Sequence, residues 1–356
     1  MGRETGAGAT VSAPRVRTPG AGRPSENDAP RSPRRRRHRR RRTALAVLVA
    51  AAVVLPLTGA TRPDIPAPPP ASLAPLTPST LDAAYAANRA DAAEASRMAA
   101  AHGDSTRAAA DHAMAGPSRR LLAFDGRGEG RATEVFGDLA HASRVAVLVP
   151  GSDTSLDTWA RFRATAVALR QRLHREAPQG VGTAVVAWLG YTTPATVSTT
   201  VLTTARADRA APRLRDFLAE LHTVTRPDAS VSLLCHSYGT VVCGRSSARL
   251  SGLGVSDIVL LGSPGTGADT AADLHTGARV WAARGGDDWI AEVPHVRTDF
   301  FGTTVGFGTD PVSPAFGARV FAAGGGGHSD YFRPDSVSLA NLARIVLGET
   351  GEVSHA

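Results

Sequence analysis

From residue 119 onward, short runs of branched aliphatic residues alternate with longer stretches whose apolar positions recur every three to four residues. Residues 145–149 form an unbroken apolar run that stops at Pro150-Gly151, the pattern of a strand covered on both faces. Similar short runs at 121–124, 132–136, 184–189, 231–234, 257–261, 279–283 and 319–322 predict further strands, and 158–175, 201–224 and 240–250 predict helices. Strand and helix alternate, so the spacing predicts an α/β domain over 118–348. Its architecture is a mostly parallel sheet with helices on both faces, followed by a short tail at 349–356. Upstream, 80–117 is Ala-rich and helix-prone, with breaks at Gly103 and Gly116-Pro117. Residues 62–79 carry Pro at 63, 66, 68, 69, 70, 75 and 78 and predict an extended linker.

Charge changes the picture at the amino-terminal end. The chain has a net charge of +8, but residues 1–42 hold 13 Arg against Glu4, Glu26 and Asp28, leaving 27 basic and 29 acidic residues for everything after them. The folding part is thus close to neutral, which argues against a nucleic-acid partner. The tail itself is too polar to fold and predicts disorder. Its block of arginines abuts residues 44–57, an uncharged and almost wholly aliphatic run. A cationic block before such a run holds the amino terminus inside and sends the rest across. Residues 43–61 are therefore expected to be a signal-anchor or a cleaved signal peptide. The expected location is the cell membrane, with the folded domain outside, or a secreted state.

Only Cys235 and Cys243 are present, which excludes a cysteine-based zinc cluster. One falls at a strand end and the other in the following helix. Bridging reach is marginal there, and the expectation is a pair of small buried thiols, with a disulfide as the alternative in an oxidising compartment.

The chemistry concentrates where strand 231–234 runs into Cys235-His236-Ser237-Tyr238-Gly239 and then into a helix. Small residues flanking a serine between strand and helix make the tight elbow that lifts a nucleophile above a sheet edge. A serine hydroxyl needs a base. His328 suits this, arriving late in the chain after Gly324-Gly325-Gly326-Gly327, whereas His236 is a poor base because adjacent elbow side chains diverge, and His275 and His295 are outsiders. The acid is expected after strand 279–283, where Asp288 is favoured and Asp287 is the alternative. Oxyanion donors are expected from the backbone of Tyr238 and from the loop after Val149, at Gly151 and Ser152.

These residues resemble the α/β-hydrolase superfamily, and within it an actinobacterial family catalogued as a domain of unknown function. The likeness rests on Val-Pro-Gly at 149–151, His-Ser-Tyr-Gly-Thr at 236–240, Gly-Ser-Pro-Gly at 262–265, Gly-Thr-Asp-Pro at 308–311 with Phe316-Gly317-Ala318, and Gly-His-Ser-Asp-Tyr-Phe at 327–332. Phe307 departs from the pattern, standing where a His is expected before Gly-Thr-Asp-Pro. The resemblance implies a serine esterase- or lipase-like enzyme with the triad Ser237, Asp288 and His328, acting on a small-molecule or lipid ester without metal or organic cofactor. A non-catalytic member of the same fold, binding at the cell envelope, is the competing class. Acyl and alcohol specificity and oligomeric state are not encoded in any motif.

Overall fold

The computed structural model describes residues 65–295, 297–300 and 303–356. The Arg-rich tail and the apolar run at 44–57 lie outside the described residues. Among the described residues no helix is long and apolar enough to cross a membrane.

Eight strands form one sheet in the order β1-β2-β4-β3-β5-β6-β7-β10. They are β1 (Leu121–Asp125), β2 (Arg131–Gly137), β3 (Arg144–Val149), β4 (Thr183–Leu189), β5 (Ser230–His236), β6 (Val255–Leu261), β7 (Arg279–Ala283) and β10 (Arg319–Val320). Pairing is antiparallel for β1 with β2 and for β2 with β4, and parallel from β4 through β3, β5, β6 and β7 to β10. Period-2 alternation sorts the central strands between two cores. Val145, Val147 and Val149 of β3, with Leu233 and Cys235 of β5, face one layer, while Ala146, Leu148 and Leu234 face the other.

The first layer is completed by α4 (Ala205–Val224) and α5 (Tyr238–Ser246). The second is completed by α3 (Trp159–Glu176) and α6 (Val337–Leu347). Each helix buries an apolar stripe, for example Leu214, Leu218 and Leu221 of α4 and Leu169 and Leu173 of α3.

The Ala-rich segment forms α1 (Leu81–His102) and α2 (Ser105–Met114), joined at Gly103 in the left-handed conformation. Together they close the β1 edge. Asn88 Nδ2 donates to the carbonyls of Leu121 and Leu122, and Arg107, only 1% exposed, donates to the carbonyls of Gly126 and Gly128 and to Asp157. These bonds supply donors to backbone carbonyls along the β1 edge and the turn that follows it.

Four features depart from the sequence expectations. The helix expected over 201–224 begins only at Ala205, after a 3-10 turn at Thr199–Leu202. Helix α6 and a hairpin of β8 (Arg297–Phe300) with β9 (Thr303–Gly306) were not expected at all. The thiol reading of the cysteine pair is corrected: Cys235 and Cys243 are disulfide-bonded, with Cα atoms 6.5 Å apart. The tight elbow folds α5 back over β5, so both sulfurs enter the same apolar layer and reach each other.

Candidate active site

The turn from β5 to α5 places Ser237 at φ 54°, ψ −127°, a left-handed conformation that an L-residue adopts only when its surroundings impose it. Leu261 accepts the Ser237 N–H at 2.9 Å, and Thr240 N–H is bonded to the Ser237 carbonyl at 2.9 Å. Tyr238 opens the helix, so its N–H belongs to the first turn, which has no carbonyl one turn behind it. Its ring is buried, and its hydroxyl donates to Thr203 while accepting from Ala207 N–H, which ties α4 to the elbow.

The loop after β3 lies against the elbow. A Cβ on Gly151 would fall 2.5 Å from Ser237 Cβ and 2.9 Å from the His236 carbonyl, so only glycine lets this backbone approach the serine so closely. Ser152 and Gly151 line the same cavity as Ser237. Asp153 holds the loop in a left-handed turn at φ 57°, its N–H bonded to Pro194 and its carboxylate accepting from Thr196 N–H.

His328 and Asp288 meet across 40 positions of sequence: Nδ1 of the ring donates to Oδ1 of the carboxylate at 2.8 Å. Asp288 is 3% exposed and its neighbour Asp287 is exposed, and of the two candidates it is Asp288 that hydrogen-bonds the imidazole. Burial pushes the Asp288 carboxyl up. Hydrogen bonds from His328, Tyr331 and the Ile290 N–H outweigh it and hold the group below the usual carboxylate range. Tyr331 donates its hydroxyl to Asp288 Oδ2 at 2.5 Å and accepts the Gly285 N–H at 3.0 Å. Burial, then the contact with Asp288, raise the phenol far above its ordinary value, so it stays a donor. Gly262 makes room for this assembly: at φ 52°, a Cβ there would lie 2.7 Å from Asp288 Oδ2 and 3.1 Å from His328 Nδ1.

Ser237, His328, Gly151 and Ser152 share one cavity of about 400 Å³, whose apolar walls include Phe162, Trp289 and Phe332. No hydrogen bond joins the Ser237 hydroxyl to the His328 ring among the described residues, as is common before a substrate tightens such a site. Trp289 packs against the His328 ring with centroids 4.5 Å apart and is 49% exposed at the cavity. Neither His275 nor His295 lines this cavity; His295 bonds the Ser263 carbonyl instead. Phe307, where the family pattern suggested His, is buried edge-on against Tyr238, and its carbonyl accepts from Thr266 and Gly267. Its place is structural support beneath the elbow.

Three contributors escaped the sequence reading. Tyr331 lies within a motif that was noted, but nothing local says that its hydroxyl turns to residue 288. His236 was considered only as a base. Its Nε2–H donates to the His328 carbonyl at 2.6 Å, and burial, reinforced by the neighbouring His328, pushes it down to about 4. Trp289 carried no signal beyond its size.

Residues 125–298 match the sequence model of a family described as Alpha/beta hydrolase. The uncharacterized protein Rv2079 of Mycobacterium tuberculosis (strain ATCC 25618 / H37Rv) is 29% identical over 278 residues, covering 69% of this chain and 42% of that protein. The uncharacterized protein Mb0988c of Mycobacterium bovis (strain ATCC BAA-935 / AF2122/97) is 32% identical over 179 residues, covering 47% of this chain and 66% of that protein. The chain thus spans between 42% and 66% of the length of these relatives. Among solved structures, esterase PE8 is 19% identical, covering 60% of this chain and 95% of that chain at a TM-score of 0.40. An alpha-beta serine hydrolase homologue from Coxiella burnetii is 12% identical, covering 65% and 97% at a TM-score of 0.36. With the sheet order described above and the family match over its central residues, the chain belongs to the α/β-hydrolase superfamily.

Proposed function

We propose that this protein is a serine hydrolase that cleaves a carboxylic ester by way of an acyl-enzyme, working outside the cytoplasmic membrane. The observation that carries the reading is the relay from Tyr331 and Asp288 to His328, opening onto the cavity that holds the strained Ser237. In the first half-reaction His328 Nε2 takes the Ser237 proton as Oγ bonds to the ester carbonyl carbon. The C–O bond to the alcohol then breaks, and the imidazolium returns that proton to the leaving alkoxide. Water repeats the sequence on the acyl-enzyme and releases the acid. Asp288, ionised and hydrogen-bonded to Nδ1, fixes the tautomer that leaves Nε2 free to accept and stabilises the charged ring. The Tyr238 N–H, with an amide of the Gly151–Ser152 loop, stabilises the oxyanion, at about 3 kcal/mol per donor.

The buried disulfide supports the extracytoplasmic part of the reading, since such bonds persist in oxidising compartments. The basic block followed by an apolar run at the amino terminus points the same way. The substrate is a small-molecule or lipid ester whose acyl portion lies against Phe162 and Phe332.

A serine-reactive fluorophosphonate probe tests the chemistry. Wild-type protein is expected to label at one site and Ser237→Ala not at all, with para-nitrophenyl ester turnover lost in parallel. Folded wild-type protein that neither labels nor turns over any ester of a chain-length panel overturns the reading.

A further inference from the structure

Away from the catalytic cavity, four arginines line a second one. Helix α4 carries Arg206, Arg209 and Arg213 at offsets of three and four residues, which puts them on one face, and Arg131 enters from the start of β2. With Tyr191 and Thr192 they surround a cavity of about 290 Å³, and none of these six residues lines the cavity of Ser237.

Among the described residues a single carboxylate, that of Asp125, is paired with this cluster. Arg131 has a partner in Asp125 at 2.5 Å, but that carboxylate also serves Arg127. Asp208, next along α4, turns to Arg245 at 2.6 Å. Among the described residues no ion pair engages Arg206, Arg209 or Arg213. Arg206 is pinned by donating Nη1–H to the Thr192 carbonyl at 3.1 Å, while its Nε is buried without a hydrogen-bond partner. A buried unsatisfied donor is costly, and cations that line one pocket repel one another. One ligand chemistry removes both penalties: a tetrahedral oxyanion, whose oxygens match the planar fork of arginine and whose charge neutralises the cluster. Arg206 sits in the first turn of α4, the positive end of the helix dipole.

We infer that this pocket binds a phosphate group, either of a soluble phosphate ester or of a phospholipid headgroup. Its volume suits the charged head of such a ligand rather than a whole drug-sized molecule. The pocket stands behind the catalytic loop, because Tyr191 donates its hydroxyl to the Pro150 carbonyl at 2.6 Å. The inference does not depend on the ester-hydrolase reading.

The test uses the full chain and the double variant Arg209→Gln/Arg213→Gln, two exposed positions whose loss leaves the fold intact. Titration with inorganic phosphate, against chloride at equal ionic strength, is expected to show saturable millimolar binding in wild type and at least a tenfold weakening in the variant. Sedimentation with phosphatidylglycerol and phosphatidylcholine vesicles separates the sources. A variant that loses phosphate and also binds phosphatidylglycerol several-fold more weakly assigns the pocket to a lipid headgroup; loss of phosphate with unchanged vesicle binding assigns it to a soluble ester. The basic amino-terminal tail is common to both proteins, so their difference reads the pocket alone. Phosphate binding that is absent, or equal in the two proteins, overturns the inference.

Discussion

His236 donates its Nε2–H to the backbone carbonyl of His328 at 2.6 Å, so the residue before the elbow serine holds the loop that presents the imidazole. Because burial keeps His236 neutral down to about pH 4, it adds no positive charge beside the ring that the proposed mechanism charges. His236→Phe keeps an aromatic ring and removes the donor. One lost aligning hydrogen bond of about 1–1.5 kcal/mol corresponds to roughly a tenfold fall in kcat/KM. The fall should appear in kcat, with KM little changed and phosphonate labelling slower but still at Ser237. Unchanged kcat would remove His236 from the assembly.

Tyr331→Phe deletes the hydroxyl that holds Asp288 Oδ2. A donor to the ionised form favours it, so its loss raises the Asp288 pKa. The native depression contributes stability present above the unfolded value and lost as pH falls through the folded one. In the variant the folded value moves toward the unfolded one, so less stability should be lost on acidification, while at pH 7 the unpaired carboxylate oxygen should cost about 1–3 kcal/mol. Urea unfolding at several pH values measures both.

The Cys235–Cys243 bridge closes a short loop around the elbow, and both residues are fully buried. Loop-closure entropy for eight residues is worth about 2–3 kcal/mol. Replacing both cysteines with Ala should lower unfolding stability by that amount. Dithiothreitol should leave the folded wild type unchanged and act only once denaturant exposes the sulfurs. Rapid reduction without denaturant would contradict the burial.

Asp111 on α2 is 1% exposed, and burial raises its carboxyl to about 7 despite the lowering influence of Arg107. Between its unfolded value and about 7 the folded state holds a proton that the unfolded state has released, so this group makes stability fall as pH rises through that window. His236 acts oppositely, since a folded value near 4 makes stability fall as pH drops below about 6.5. Asp111→Asn should remove only the first dependence, and the difference between melting temperatures of variant and wild type should grow from pH 4 to pH 7. A constant difference would show that Asp111 titrates normally.

Much of this molecule is legible along the chain. The strand at 144–149 is announced by its unbroken aliphatic run, the elbow by small residues around Ser237, and the late histidine by the glycines before it, because each signal is local and backbone sterics act locally. Helix α6, absent from the sequence expectations, carries its stripe in Leu339, Leu342, Ile345 and Val346, a periodic signal spread over only 11 residues.

Other relationships could not be read that way. Which of Asp287 and Asp288 faces the imidazole depends on a rotation of one residue about the end of β7. Whether two cysteines bridge depends on how steeply α5 folds back over β5, and four arginines line one cavity only because α4 and the start of β2 both border it. Sequence determined the elements and the residue types available for chemistry, through propensity and periodicity. Tertiary structure alone decided which of those groups touch, because contacts between positions dozens of residues apart are fixed by the register of the whole sheet and by the packing of the helices against it.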